Sequence, residues 1–462
     1  MKKYRLESDS VGELQIDENA YYGVQTLRAK NNFNITGKKI HKNLIIALAE
    51  VKKASALTNI QTGELDTAIG NAIVQACDEI IKGKYHSEFI VDPIQGGAGT
   101  SANMNANEVI ANIALELLGE EKGNYSLVHP NDHVNMSQST NDVFPTAGKI
   151  SLIRLLENLK IEIKRLHSEL VKKSIEFEDI IKMGRTQLED AVPITLGQEF
   201  TAYSEAIKRD IRRIDLAIEE MEFVNMGATA IGTGINASPE YISMIVPNLD
   251  KVANLNLKQS INLIDGTQNL DGFGVVSGYL KALAINLSKI SNDLRLMNSG
   301  PRAGLAEITL PAKQNGSSIM PGKINPVIPE VMNQISFNVI GNDTTITMAC
   351  EGGQLELNAF EPIIFYNLFE SIETLTKGIK TFTDNAIIDL TANKEHCKKQ
   401  VESSIGLITA INPYVGYKKS ALIAKEALQS GKTIKDIVLE FEIMSQDKLD
   451  EVLDPYKMIK HE

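Results

Sequence analysis

Between Leu152 and Leu170 the apolar positions Leu152, Leu156, Leu159, Ile163, Leu166 and Leu170 follow one another in alternating steps of four and three residues. Steps of that size return to one side of an α-helix, so the spacing predicts a long helix carrying a single apolar stripe. The pattern recurs in Phe200, Tyr203, Ile207, Ile211, Ile214, Ile218 and Met221, and again, without a break, in Val276, Leu280, Leu283, Leu287, Ile290, Leu294 and Met297. Leu368, Ile372, Leu375, Ile379 and Phe382 make a further seam. Seams of this kind bury themselves against one another, which predicts a bundle of long helices.

The segment Glu330 to Cys350 also reads as helix, but Asn333, Gln334, Asn338, Asn342, Asp343, Thr344 and Thr345 spread polar groups around it. A helix polar on every side is either solvated or packed among polar partners. The expectation is burial in the core of an oligomer, because long helices with more than one usable face exceed what one chain's bundle can hide. A monomeric bundle with one wet helix is the alternative. Strand signals are confined to short pieces such as Tyr4 to Ile16, so the fold class is all-α. Before Pro145 the segments are shorter and richer in loops, and after Thr391 short helices follow, among them Lys418 to Leu428 and Lys435 to Phe441. The length supports about three domains: an N-terminal, mainly helical domain over 1–140, a central long-helix bundle over 141–395 and a small helical C-terminal domain over 396–462.

Composition narrows the function classes. The chain has 462 residues, 43% of them hydrophobic and 23% charged, with a net charge of -12. That charge argues against nucleic acid or an anionic membrane as partner. No apolar run approaches a membrane span, and the opening MKKYRLESDS lacks the apolar stretch of a secretory signal, so a cytoplasmic location is expected. Cys77, Cys350 and Cys397 are scattered and odd in number, which predicts reduced, structural thiols.

The richest chemistry lies in Gly316-Ser317-Ser318-Ile319-Met320-Pro321-Gly322-Lys323-Ile324-Asn325-Pro326, which sets two hydroxyls, a cation and a carboxamide on a backbone punctuated by Gly and Pro. Such a loop can close over an anion and stabilise a carboxylate-derived oxyanion. By composition alone it is also an ordinary solvated loop. In a chain of net charge -12, nearby cations would have to dominate within a Debye length of roughly 8 Å for a dianion to bind.

The run resembles, nearly residue for residue, the signature loop of the fumarase/aspartase superfamily, whose members eliminate water or an amine from a succinyl-type substrate to leave fumarate. Further stretches match in chain order. They are Gly99-Thr100-Ser101-Ala102-Asn103-Met104-Asn105, the run His129 to Asp142 with its Ser139-Thr140-Asn141 triplet, and Gly184-Arg185-Thr186-Gln187. Tyr21 to Arg28, Gly227 to Gly234 and Ser299 to Leu305 look like the aspartase branch in particular, and the resemblance covers essentially the whole chain.

The resemblance implies a three-domain all-α fold around a central long-helix bundle, a homotetramer, and composite sites drawing on three chains. It implies Ser317 as the base that removes a Cβ proton, with Ser318, Lys323 and Asn325 holding the developing aci-carboxylate. Thr100, Thr186 and Gln187 would complete the pocket, and Ser139, Thr140 and Asn141 would hold the ammonium and the second carboxylate. Arg28 is a weaker contributor to the positive field. His129, Asn131 and Asp132 match a secondary anion site of fumarases. As metal ligands, His129 and His133 lack a third partner, and Pro130 disturbs their helical spacing. Gly232-Thr233-Gly234 follows no strand signal and lacks the lysine of a nucleotide loop.

Fumarases carry His where this chain has Gln187. A neutral amide is neither acid nor base near neutral pH, and hydroxide needs a proton as it leaves, whereas an α-ammonium already has one. The expected reaction is therefore the reversible elimination of ammonium from L-aspartate, with fumarate hydration as the alternative. Some aspartases carry His at this position, so Gln187 argues against the hydratase without being required for the lyase. No organic cofactor is implied. A divalent cation as activator is carried by the resemblance alone. The remaining partners expected are the small-molecule substrate and further copies of the chain.

Overall fold

The computed structural model describes residues 3–459. It opens with a β-hairpin, β1 (Tyr4–Asp9) against β2 (Gly12–Asp17), antiparallel and in register from Tyr4 opposite Asp17 to Asp9 opposite Gly12. Helices α1 (Lys42–Gln61), α2 (Thr67–Ile81) and α3 (Thr100–Leu117) follow. The first long helix, α4 (Thr140–Glu176), leads into a second hairpin, β3 (Ile181–Thr186) with β4 (Glu189–Thr195). Four more long helices are α5 (Leu196–Met221), α6 (Asp271–Met297), α7 (Val327–Glu351) and α8 (Glu361–Phe382). Among the described residues no helix is long and apolar enough to cross a membrane.

The chain divides into two compact units, each built from three separate stretches. The first takes the chain up to Lys160, then Arg212–Ala282 and Asn338–Thr374; the second takes Ile161–Ile211, Leu283–Phe337 and the chain from Leu375 onward. The boundaries fall inside all five long helices. Within the first unit, Glu108 on α3 ties two sequence motifs together. Its carboxylate accepts from the backbone N–H of Gly23, Gln25 and Thr26 and from the Thr26 hydroxyl, at the start of the helix Val24–Asn32. A negative group there complements the helix dipole and its unpaired N–H groups.

The predicted seams form the core. Every seam residue named on α4, α6 and α8 is buried. On α5 two are not: Ile211 and Ile218 are half-exposed, and Asp210 and Ala217 are buried in their place. The stripe at 203, 207, 210, 214, 217 and 221 keeps an average step of 3.6, and the apolar neighbours at 211 and 218 lie one residue off it. Asp210 is tolerated inside because Asn286 donates to its Oδ2 at 2.8 Å.

Helix α7 is not polar in the same way on all sides. Met332, Asn333, Ser336, Val339, Asp343, Ile346 and Ala349 make a buried stripe. Its polar members are paired: Asn333 Nδ2 donates to Ser288 and Asn292, and Asp343 accepts from Ser277 and Lys281. The opposite face, with Val331, Gln334, Phe337, Asn338, Thr344, Thr345 and Met348, is exposed and uncharged between Glu330 and Glu351 at its two ends. Phe337 is 61% and Met348 64% exposed.

Strand structure extends beyond the N-terminal hairpin. The β3/β4 pair was hidden in the sequence because Ile181, Lys182, Met183 and Gly184 are all buried, which removes the alternation that marks a half-exposed strand. The C-terminal helices Tyr417–Ser430 and Ile434–Glu440 fall within a residue or two of their predicted places and close a small core of Ile411, Ile423, Ile437, Val438 and Leu449.

Candidate active site

In the first unit the chain brings Thr100, Asn103, Ser139, Thr140 and Asn141 to the N-terminal ends of α3 and α4. Gly99, with φ +87°, turns the chain into α3, and a Cβ there would lie 2.3 Å from the Phe144 ring. Close packing of α3 on α4 therefore needs glycine. Asn103 Nδ2 donates to Thr140 Oγ1 at 3.1 Å. With its acceptor side engaged, the Thr140 hydroxyl proton is available to a carboxylate in front of it. Ser139 Oγ accepts from the N–H of Asn141, and Asn141 Nδ2 donates to the carbonyl of Ala230 at 2.7 Å. Asn105 turns out to be structural, bonded to the backbone of Glu88 and Ile90.

Behind this triplet lies a polar network that sequence reasoning did not assign. Asp142 is fully buried; one carboxylate oxygen accepts from Ser139 N at 2.9 Å and the other from Gly227 N at 3.2 Å. Burial pushes its carboxyl up to about 6. Lys52 is also fully buried and donates to Asn135 Oδ1 at 2.7 Å and Gln138 Oε1 at 2.9 Å; burial brings its ammonium down to about 7. Asn135 Oδ1 accepts in addition from Asn103 and Asn107. The chain of bonds from Lys52 through Asn135 and Asn103 to Thr140 fixes which way each amide points. The run Leu44 to Ala56 carries Glu50, Lys52 and Lys53 among its apolar residues, so nothing local singles out Lys52 as the buried cation.

The loop 227–236 supplies another wall. Thr229 (φ +22°) and Ala230 (φ +56°, ψ -84°) sit in sparsely populated backbone regions, held by Thr229 Oγ1 on the Ile235 carbonyl at 2.6 Å. Strain of this kind costs about 1–3 kcal/mol per residue and persists only where surrounding structure imposes it. Together with Asn135, Ser137, Gln138, Ser139 and Thr140, this loop lines a pocket of about 320 Å³. A neighbouring cleft of about 590 Å³ holds Thr100, Ser101, His129 and Asn131. Arg28 also lines it, but its guanidinium is bound in two places to Asp9, which spends its charge. His129 Nδ1 accepts from the N–H of Asn131 and Asp132, and His133 Nδ1 from that of His129, so neither Nδ1 faces a metal. Among the described residues no group of three or more His, Cys, Asp or Glu is placed to hold a metal ion.

In the second unit, Thr186 and Gln187 stand at the tip of the β3/β4 hairpin. Thr186 pairs with Glu189, leaving Gln187 and Leu188 as a two-residue turn with φ +56° and +69°. Positive φ at both positions suits Asn-Gly, and here a glutamine and a leucine occupy them. The base of the hairpin is rigid: Arg185 donates to Glu307 at 2.6 Å, Lys182 pairs with Glu199 at 2.7 Å and with Glu307 at 3.2 Å, and Ser404 Oγ donates to Asp190 at 2.6 Å. The tip is exposed from Thr186 to Asp190.

The same unit carries the loop of Ser317. Its neck is closed by Gly316 N on Lys323 O at 2.7 Å and by Asn325 Nδ2 on Gly316 O at 2.8 Å. At its far side Lys323 N bonds Met320 O, with Pro321 and Gly322 (φ +80°) as the central residues of a type II turn. Ser317 Oγ accepts from the N–H of Ile319 at 3.2 Å and of Met320 at 3.0 Å. Two donors aimed at one hydroxyl oxygen favour its deprotonated form. Ser318 and Lys323 are exposed. Each unit thus gathers its own share of the predicted residues.

Comparison with known proteins places this geometry. The sequence pattern of the lyase family matches residues 12–341, and that of the fumarase C C-terminus matches residues 407–460. The chain is 56% identical to the aspartate ammonia-lyase of Bacillus subtilis (strain 168), covering 99% of this chain and 97% of that protein. It is 47% identical to the aspartate ammonia-lyase of Escherichia coli (strain K12), covering 97% and 94%. Among solved structures, a fumarate lyase:delta crystallin from Brucella melitensis bound to cobalt superposes with a TM-score of 0.96 at 48% identity, over 99% of this chain and 100% of that one. A class II fumarase from Schistosoma mansoni gives the same TM-score at 34% identity, over 99% of both.

Proposed function

The chain belongs to the lyase family, and from that premise we propose that it is an aspartate ammonia-lyase, converting L-aspartate reversibly into fumarate and ammonium. The observation that carries the reading is full-length identity of 47–56% to aspartate ammonia-lyases. The site chemistry supports it, since the position a hydratase fills with His holds the neutral Gln187.

In the proposed mechanism Ser317 Oγ removes the Cβ proton. A serine hydroxyl is a weak base, and each unit by which its pKa falls requires about 1.4 kcal/mol of differential stabilisation. The N–H groups of Ile319 and Met320 supply part of it, and Lys323 on the same loop supplies a cation. As the Cβ–H bond breaks, charge moves onto the adjacent carboxylate, which becomes a dianionic aci-form held by Lys323, Ser318 and Asn325. In the described conformation one Asn325 N–H closes the loop neck, which leaves its other N–H and its Oδ1 for substrate. Ser139, Thr140 and Asn141 hold the second carboxylate and the ammonium, with Thr100, Thr186 and Gln187 around them. The C–N bond then breaks with its electron pair going to nitrogen, so the α-ammonium leaves as neutral NH3 without needing a proton in that step. The proton taken by Ser317 is released to solvent, where ammonia becomes ammonium. The reading calls for no organic cofactor and places the enzyme in the cytoplasm.

The assembly proposed is a homotetramer that joins groups from separate copies into each site. The outer face of α7, uncharged between Glu330 and Glu351 and carrying Phe337 and Met348, supports it, because an exposed face of that composition is suited to burial against another helix. Following fumarate with L-aspartate, L-malate and argininosuccinate in parallel tests the activity. Faster turnover of L-malate than of L-aspartate would overturn the reading in favour of fumarate hydratase.

A further inference from the structure

The hairpin tip is built against its own backbone preference. Both turn residues take φ values that glycine or asparagine adopts at least cost, yet the positions hold Gln187 and Leu188. Leu188 is 71% exposed, so its side chain repays nothing within the single chain. A strained turn with an unsupported apolar side chain is explained if that side chain is covered in the assembly.

Where it would be covered follows from the proposed function, on which this inference rests. If Gln187 reaches a substrate held by Ser139 and Thr140, then Leu188, whose Cα lies about 3.8 Å further along the chain, lands at the rim of their pocket. That rim is polar at Asn135, Ser137, Gln138 and Asn236 and apolar at Ile235. Ile235 is 59% exposed and its loop neighbour Ile231 43%. The loop that presents them is fixed by the bonds from Thr229 Oγ1 to the Ile235 carbonyl and from Gly234 N to the Ala228 carbonyl. We infer that Leu188 is a positioning residue, the apolar anchor that seats the Thr186–Gln187 tip of one copy on the Ile231–Ile235 rim of the Ser139–Thr140 pocket in a second copy.

Two readouts test this, one independent of activity. In the double variant Leu188→Cys with Ile235→Cys, oxidation is expected to give a covalent dimer on a non-reducing gel, absent from either single variant. A monomeric band from the oxidised double variant overturns the inference. In turnover, Leu188→Asn keeps a residue that tolerates the turn but removes the apolar contact. It should lower kcat/KM for L-aspartate by roughly ten-fold, about the worth of one buried leucine, with the circular dichroism spectrum and tetramer unchanged. Leu188→Met should restore activity. A Leu188→Asn enzyme within two-fold of wild type overturns the anchor, whereas a wild-type enzyme inactive on L-aspartate alongside a double cysteine variant that cross-links as expected overturns the proposed function and leaves the contact standing.

Discussion

Replacing Gly316 by alanine tests whether closure of the Ser317 loop limits the reaction. A Cβ at this position would lie 2.7 Å from the backbone nitrogen of Asn325 and 2.8 Å from its Cγ and Oδ1. The nearest of these atoms is backbone and cannot swing aside, so the two sides of the neck must part. The bonds at risk are Gly316 N to Lys323 O and Asn325 Nδ2 to Gly316 O. At about 1 kcal/mol each the loss is ~2 kcal/mol, or roughly a 30-fold drop in the closed neck. The loop from Ser318 to Ile324 is exposed, so this cost falls on a local equilibrium and not on the core. Steady-state kinetics followed by fumarate absorbance should show kcat/KM down by about 30-fold, while the main thermal transition moves by no more than about 1 °C. The reasoning is wrong if Gly316→Ala stays within three-fold of wild type, or if its activity loss comes with a matching fall in Tm.

Other consequences can be checked in the same assay. Ser317→Ala should lower kcat by about 100- to 10,000-fold, the usual worth of a positioned base, with Tm and tetramer intact; near-normal turnover would remove Ser317 from its role. Asn103→Leu takes away the donor to Thr140 Oγ1 and is expected to raise KM for L-aspartate more than it lowers kcat. For pH, Lys52 titrates at about 7 in the folded chain against an ordinary 10.5, so above pH 7 the unfolded state binds more protons and stability rises with pH through that window. The slope is at most about 1.4 kcal/mol per pH unit, and Lys52→Met should abolish it in denaturant titrations at pH 7 and pH 9; an unchanged slope would show that another group titrates there.

The long helices were legible because their seams are apolar and periodic, and burial follows period. Where the sequence misled, a specific interaction outweighed hydrophobicity: Asp210 displaces Ile211 from the stripe because an amide meets it inside. The β3/β4 hairpin escaped notice because it is buried on both faces at its start and turns through Gln-Leu, a pair that carries no turn signal. The site could be read by residue type, since hydroxyls, amides and a lysine for a dianionic substrate stand in short motifs. Its supports could not. Lys52 and Asn135 lie 83 residues apart and meet only after α1 packs in place, and no local pattern announces a buried cation among amides.

The two units are interleaved along the chain, and this bears on how the protein is made. The first unit lacks its third stretch until Thr374 has been synthesised, and the second until the chain is nearly finished. A nascent chain that has just emitted α4 and α5 therefore holds their leucine and isoleucine seams without the helices that complete either core. Native pairing is long-range for every one of the long helices, which slows folding and lengthens the exposure of sticky surface. Production in a cell should accordingly depend on chaperone capacity during translation far more than the finished enzyme's stability would suggest. A single cut anywhere between Arg212 and Phe337 leaves stretches of both units on each side of it, so no cut there yields a half-protein with a complete core.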